Sequence, residues 1–279
     1  MRHASGTGTA GGGMDAQPHP TGGPADAANR SAQGEGMGPR ERRLLAAMPL
    51  HAITALHGES GLRERLTIET AAFPAADREC IAQALDLASR LHAADRRQNE
   101  PYVNHLLRVA IRIITYYRVR DADVICAALL HDAVEDHADD FSPGGGQPEA
   151  LVAITDRFGD RVAELVAAVT NSDPEPGCDR HEQYRQHVAA SLEANPWARV
   201  IKASDFTDNG VGLIHSTGPK LERLASKYAP LVPILRELIA APDTPLDDEV
   251  KHHIISQLDR ATERFAAILL GQEAADTVR

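Results

Sequence analysis

The ten residues Ala127-Ala128-Leu129-Leu130-His131-Asp132-Ala133-Val134-Glu135-Asp136 set the tightest condition on how this chain can fold. An apolar, Ala-rich helical pattern runs straight into a His-Asp doublet and a Glu-Asp doublet. His131 and Glu135 are i,i+4, as are Asp132 and Asp136, and Asp132 and Glu135 are i,i+3. On a helix these spacings bring the four side chains onto adjoining parts of one surface. Carboxylates and imidazoles on an apolar helix are costly unless a cation or solvent satisfies them. The stretch therefore asks for a metal, and it predicts one helix from Asp121 to Asp136.

The rest of the chain has the same helical character. Of its 279 residues, 43% are hydrophobic and only 4% aromatic, which suits helices more than sheets. Residues 1–40, rich in Gly, Ala, Pro, Ser and Thr, have too little apolar surface to offset ordering entropy, so a disordered tail is expected there. Residues 41–76 read as a helical extension, interrupted by Pro49 and by Gly58 and Gly61. Asp77 is placed to cap a helix through Ile81, Leu85 and Leu91. Further helical patterns cover His105 onward, 149–170 with a turn at Phe158-Gly159-Asp160, His181 to Ala194, 219–240 and 246–270. With no βαβ alternation, the fold class is all-α.

Several functions are disfavoured. A net charge of −11 argues against duplex nucleic acid as a partner. No apolar run approaches the ~18 residues of a membrane span, and no apolar leader opens the chain. The three cysteines Cys80, Cys126 and Cys178 are scattered, with no close pair and no CxxC, and the odd count is as expected of reduced thiols in a cytoplasmic protein. His92 reads as structural, His252 and His253 as surface residues, and Cys126 as core.

Three blocks resemble a known family. Arg96-Arg97-Gln98-Asn99-Glu100-Pro101-Tyr102-Val103-Asn104-His105 resembles an Arg-Lys-x-Gly-Glu/Asp-Pro-Tyr-x-x-His block. Residues Ala127 to Asp136 resemble Ala-Ala-Leu-Leu-His-Asp-x-x-Glu-Asp. Ile201-Lys202-Ala203-Ser204-Asp205-Phe206-Thr207-Asp208-Asn209 resembles a Lys-Leu-Ala-Asp-x-x-x-Asn block. The segment Phe158-Gly159 to Val169-Thr170 fits between them. In order and internal spacing these resemble the HD-superfamily phosphohydrolases, in particular the hydrolase domain of the bifunctional alarmone (ppGpp) synthetase/hydrolases and their small stand-alone relatives.

That resemblance implies an HD-type helical bundle over 77–240, followed by a C-terminal helix in 241–279. It implies His105, His131, Asp132 and Asp205 as ligands of one divalent ion, Mn²⁺, a set that suits ions of intermediate hardness. It implies Glu135 and Asp136 as the groups that orient or deprotonate the attacking water, and Arg96, Arg97 and Asn209 as substrate contacts. The implied reaction removes the 3′-pyrophosphate of ppGpp or pppGpp. The alternatives are another phosphorylated nucleotide, such as NADPH or a pyrophosphorylated tRNA 3′ end, or a non-catalytic nucleotide-binding regulator. The implied partners are a small phosphorylated nucleotide and, if the chain acts as an antitoxin, a cognate alarmone-synthetase toxin. About 40 residues follow the resemblance, short of the ~150 of a typical further domain, so a hydrolase-only form is expected. The chain departs from the family pattern at Asn99, at His137-Ala138-Asp139, at Phe206 and at Gly210-Val211-Gly212. Phe206 and the glycines are expected to alter contacts on the base side of the substrate.

Overall fold

The computed structural model describes residues 37–97, 100–141, 144–171, 180–210 and 219–277. The expected tail, 1–40, lies almost wholly outside the described residues, as do Asn99, Val211 and Gly212. The chain divides into two compact units, Met1–Glu41 and Arg42–Arg279, and the second holds every residue of interest below.

Thirteen helices occur among the described residues: α1 (Pro39–Ala47), α2 (Leu50–Thr70), α3 (Ala75–Leu91), α4 (Val103–Thr115), α5 (Ala122–Leu130), α6 (Ala133–Phe141), α7 (Gln147–Phe158), α8 (Asp160–Val169), α9 (Arg180–Ala194), α10 (Pro196–Gly210), α11 (Pro219–Tyr228), α12 (Leu231–Ala240) and α13 (Asp248–Thr277). Two-residue strands β1 (Arg96–Arg97) and β2 (Glu100–Pro101) pair antiparallel between α3 and α4. Among the described residues the fold is all-α apart from this small ribbon. None of the described helices is long and apolar enough to cross a membrane.

Helix α5 is the centre of the core. Every residue from Val124 to Leu130 is fully buried, as expected of a helix that is apolar all round. It packs against α3, α4 and α8, while α10 packs against both α4 and α8. Asp121 starts α5 by accepting the Asp123 and Val124 N–H groups. It also takes two hydrogen bonds from Arg161 of α8, at 2.6 and 2.8 Å. The start of α5 is thereby tied to the start of α8.

Five expectations need correction, the first being the closing helix over 219–240, which is two helices, α11 and α12, parted at Ala229-Pro230. The single helix 121–136 is two helices, α5 and α6, parted at His131-Asp132. The His131 ring donates through Nδ1 to the Ala128 carbonyl at 2.9 Å, an acceptor that a continuous helix gives to the Asp132 N–H. At the N-terminal side, only Gly58 breaks α2, with φ 58°. Gly61 is helical and packed so closely that a Cβ there would lie 2.4 Å from His57 Cβ. Helix α3 starts at Ala75 behind Pro74, so Asp77 lies in its first turn and is not its cap. Finally, packing of α3 on α5 brings Cys80 and Cys126 to 3.5 Å, a pair that their 46-residue separation conceals.

If the Asp121 cap sets the start of α5, Asp121→Ala should lower stability by about 1–2 kcal/mol, while Asp121→Asn, which keeps a capping oxygen, should cost less. Thermal melts of the two variants check this; equal losses would assign the whole effect to the Arg161 ion pair.

Candidate metal centre and active site

Three segments bring four residues to one buried point. The start of α4 brings His105, the α5–α6 junction brings His131 and Asp132, and the middle of α10 brings Asp205. Both histidines are 1% exposed. His105 Nε2 lies 3.6 Å from Asp132 Oδ2 and 3.4 Å from Asp205 Oδ1. His131 Nε2 lies 3.0 Å from Asp132 Oδ2 and 3.7 Å from Asp205 Oδ1. The two Nε2 atoms are buried without a hydrogen-bond partner. With their Asp132 neighbour, the two imidazoles form a group whose ligand atoms all lie within 4.8 Å of one another.

The opposite face of each ring explains why Nε2 is left open. His131 Nδ1 must donate, because its partner is the Ala128 carbonyl. His105 Nδ1 is 2.9 Å from Asp208 Oδ2, which can only accept. With Nδ1 as the donor, the neutral form of either ring has its lone pair on Nε2, the atom that faces the carboxylates. This is the tautomer a metal-binding histidine needs, with the second partner fixing ring orientation.

Asp208 was not assigned a role from sequence. It is itself held by Arg108, at 2.9 and 3.1 Å from Nε and 2.9 Å from Nη2, and by Arg112 at 2.9 Å. Burial opposes its charge, but Arg108, the His105 hydrogen bond and Arg112 outweigh that and hold its carboxyl well below the usual range. Arg108 also grips Glu100 of β2. The available signal was the spacing of Arg108 and Arg112 (i,i+4) on the same face of an otherwise apolar helix as His105, one to two turns on.

The field at the centre favours a cation. Burial opposes charge on His131, yet Asp132 and Asp205 push its pKa up to about 10. For Asp132, burial is overcome by His131, which takes its carboxyl below the normal range. Burial likewise yields at Asp205 to Lys202, whose Nζ is 3.0 Å away. Tyr102 donates to Asp132 Oδ2 at 2.6 Å. Two carboxylates, two open imidazole nitrogens and a buried setting fit one divalent ion.

The other predicted residues fall into two groups. Asp136 and Glu135 lie in the first turn of α6 and are exposed, not packed on the buried surface that holds His131. Partial desolvation, then the charges of Asp132 and Glu135, push the Asp136 carboxyl up to about 6. Glu135 accepts from the Asn171 side chain at 2.8 and 2.9 Å. Arg97 donates to Asn209 Oδ1, and Asn209 donates to Asp205 Oδ1, so these two join the centre. The Arg97 guanidinium also lies 5.4 Å from the Tyr102 ring centroid. Arg96 is exposed and outside this chain of contacts. Phe206, expected on the base side of the substrate, is instead core, edge-on to Tyr228 and Phe265.

An all-α protein with a buried two-histidine, two-aspartate cluster is the class that the fold and site define. The description of the HD domain matches residues 84–195. A guanosine-3′,5′-bis(diphosphate) 3′-pyrophosphohydrolase of Aquifex aeolicus is 32% identical over 180 residues, 62% of this chain and 24% of that protein. MESH1 of Mus musculus, given the same activity, is 33% identical over 45% of this chain and 64% of its own length. MESH1 of Danio rerio is 32% identical over 45% of this chain and 67% of its own length. The chain belongs to the HD-domain family, in the group that includes these 3′-pyrophosphohydrolases. It spans less than two thirds of the first two relatives. The solved structure of a metazoan SpoT orthologue that hydrolyses ppGpp shares the fold, with a TM-score of 0.53 and 24% identity, covering 69% of this chain and 97% of that one.

If Asp208 orients His105, Asp208→Asn should weaken divalent-ion binding by about 10–100-fold, as loss of such a partner does elsewhere. Calorimetric titration of the folded variant with Mn²⁺ checks this, and an unchanged affinity would remove Asp208 from the site.

Proposed function

We propose that this protein is a Mn²⁺-dependent hydrolase that converts ppGpp or pppGpp to GDP or GTP plus pyrophosphate. The observation that carries the reading is the pair of buried, unpartnered Nε2 atoms of His105 and His131 facing Asp132 and Asp205. In this reading those four residues hold one divalent ion within a catalytic domain at 77–240. Such an ion, when bound, neutralises phosphoryl oxygens and lowers the pKa of water. The relatives named above, with their stated 3′-pyrophosphohydrolase activity, support the substrate class.

The chain's own groups supply positioning and proton transfer, which is most of what phosphoryl transfer requires. Asp136 takes the proton of the attacking water as a general base. Glu135, steadied by Asn171, orients that water. The water oxygen bonds to the 3′ phosphorus as the bond from that phosphorus to the ribose 3′ oxygen breaks, and the proton taken up by Asp136 passes to the departing 3′ oxygen. Arg97 and Asn209 contact the substrate, and exposed Arg96 is free to pack against the base. Lys202 stays protonated: burial opposes its charge, but Tyr184 and Asp205 raise its pKa well above normal. It pairs with Asp205 Oδ2, while Oδ1 faces the two imidazoles.

Purified protein with Mn²⁺ and ppGpp should yield GDP and pyrophosphate on anion exchange, and Asp132→Asn should yield neither. Intact ppGpp beside metal-loaded wild type would sink the alarmone assignment. A base works only when deprotonated, so the rate should fall as pH drops through the Asp136 pKa. A bound cation offsets the Asp132 charge and moves that acidic limb below about 6. In Asp136→Asn the limb should vanish and the rate should fall by about 10²–10⁴-fold; a retained limb assigns it to another group.

A further inference from the structure

A second cluster lies behind Tyr102, outside the centre described above. His92, the C-terminal cap of α3, is buried and places Nδ1 2.8 Å from Asp95 Oδ2. His137 of α6 places Nε2 2.7 Å from the same oxygen. The two rings meet edge to face, with centroids 4.5 Å apart. One ligand atom from each of the three residues lies within 4.8 Å of the others.

The hydrogen bonds here do not close with neutral groups. His137 meets a carboxylate at both ring nitrogens, since its Nδ1 is 2.8 Å from Asp140 Oδ2. Carboxylates only accept, and a neutral imidazole has one N–H to give. One of the two contacts therefore needs an additional cation, a proton or a metal ion. Asp140 stands where a partner carboxylate orients a metal-bound histidine: it takes Nδ1–H and leaves the Nε2 lone pair facing Asp95 and His92. Two imidazoles and one carboxylate on a half-exposed edge leave a coordination position for water, a set that suits Zn²⁺. The backbone at His137 leaves helical geometry, with φ −135° and ψ 29°, at the residue that turns its ring to this cluster.

We propose that His92 Nδ1, Asp95 Oδ2 and His137 Nε2 form a second metal site, of zinc type, that staples the segment after α3 to α6. The proposal goes beyond the hydrolase reading and stands independently of it. The staple joins two parts of the first centre's wall. His92 stacks on Tyr102 at 4.7 Å and 12°, and the Asp95 backbone carbonyl accepts the Tyr102 N–H at 3.2 Å, while Tyr102 holds Asp132. On the other arm, α6 carries Glu135 and Asp136. His137 is one of the positions at which the chain departs from the family pattern. Binding displaces the proton that otherwise bridges His137 and a carboxylate, and metal uptake here releases that proton to solvent.

The test is a titration of the full chain, stripped of metal, with Zn²⁺ by calorimetry and with Co²⁺ by visible absorption. Wild type should take two equivalents. His137→Gln and Asp95→Asn should each lose one and keep the other, while His131→Gln should lose the complementary one. Uptake of a single equivalent that His131→Gln abolishes and His137→Gln leaves untouched overturns the second site and leaves the cluster a proton-bridged one. A single equivalent lost in His137→Gln and kept in His131→Gln upholds it and overturns the first centre instead. Should His137→Gln lose its circular dichroism signal, Asp95→Asn decides, because it keeps the side-chain shape and an acceptor for His92.

Discussion

The buried contact between Asp208 and His105 is the constraint on which the rest of the site depends. It sets the ring tautomer, and through the tautomer it leaves Nε2 open. Asp208 can lie in the core as an anion only because Arg108 and Arg112 meet it from α4. Ser204 of α10 seals the same seam by donating to the Val109 carbonyl at 2.9 Å. The packing of α4 on α10 and the chemistry of the centre are thus one set of interactions. Breaking one member of such a buried network leaves an uncompensated charge, which is worse than never having had the pair.

Charge at the centre is balanced in layers. Asp132 and Asp205 face two imidazoles, Lys202 stands behind Asp205, and Arg108 with Arg112 stands behind Asp208. The cations behind Asp205 and Asp208 hold both carboxylates ionised. Asp205 turns Oδ1 to the two open nitrogens, where Asn209 also donates to it, and gives Oδ2 to Lys202. Tyr102 completes the wall by donating to Asp132, and burial followed by the Asp132 charge raises its pKa and keeps it a donor.

Much of this was legible in the sequence. The apolar run before His131 announced a buried helix, and the turn at Gly159, with φ 90°, was readable from Phe158-Gly159-Asp160. His105 and Asp205 were visible only by resemblance, since no local spacing links residues a hundred positions apart. The α5–α6 break was hidden because it depends on where one imidazole finds its acceptor. Asp208 was hidden for a related reason: in the block it reads as one of several spacer positions, and its role exists only once α4 supplies two arginines and a histidine. Phe206 misled in the opposite sense, since its neighbours Asp205 and Asn209 face the centre while it turns to Phe265. Helical spacing places i and i+4 together and i+1 about 100° away, which separates Asp205 and Asn209 from Phe206 on α10.

The two histidine clusters share Tyr102, and this gives the small ribbon a mechanical sense. One face of the Tyr102 ring meets His92 and its hydroxyl meets Asp132, while Arg97 lies across the ring. Arg97 and Glu100 pair in the ribbon, and Glu100 is clamped by Arg108 on α4. The ribbon is therefore held from three directions: by the α3 end through His92, by the candidate metal centre through Asp132, and by α4 through Arg108. A two-residue ladder has too few backbone hydrogen bonds to be stable alone. Its order comes from side chains that are themselves parts of the site. Arg97, the proposed substrate contact, is thus positioned through Asn209 and Tyr102 by the same residues that hold Asp205 and Asp132, the proposed metal ligands.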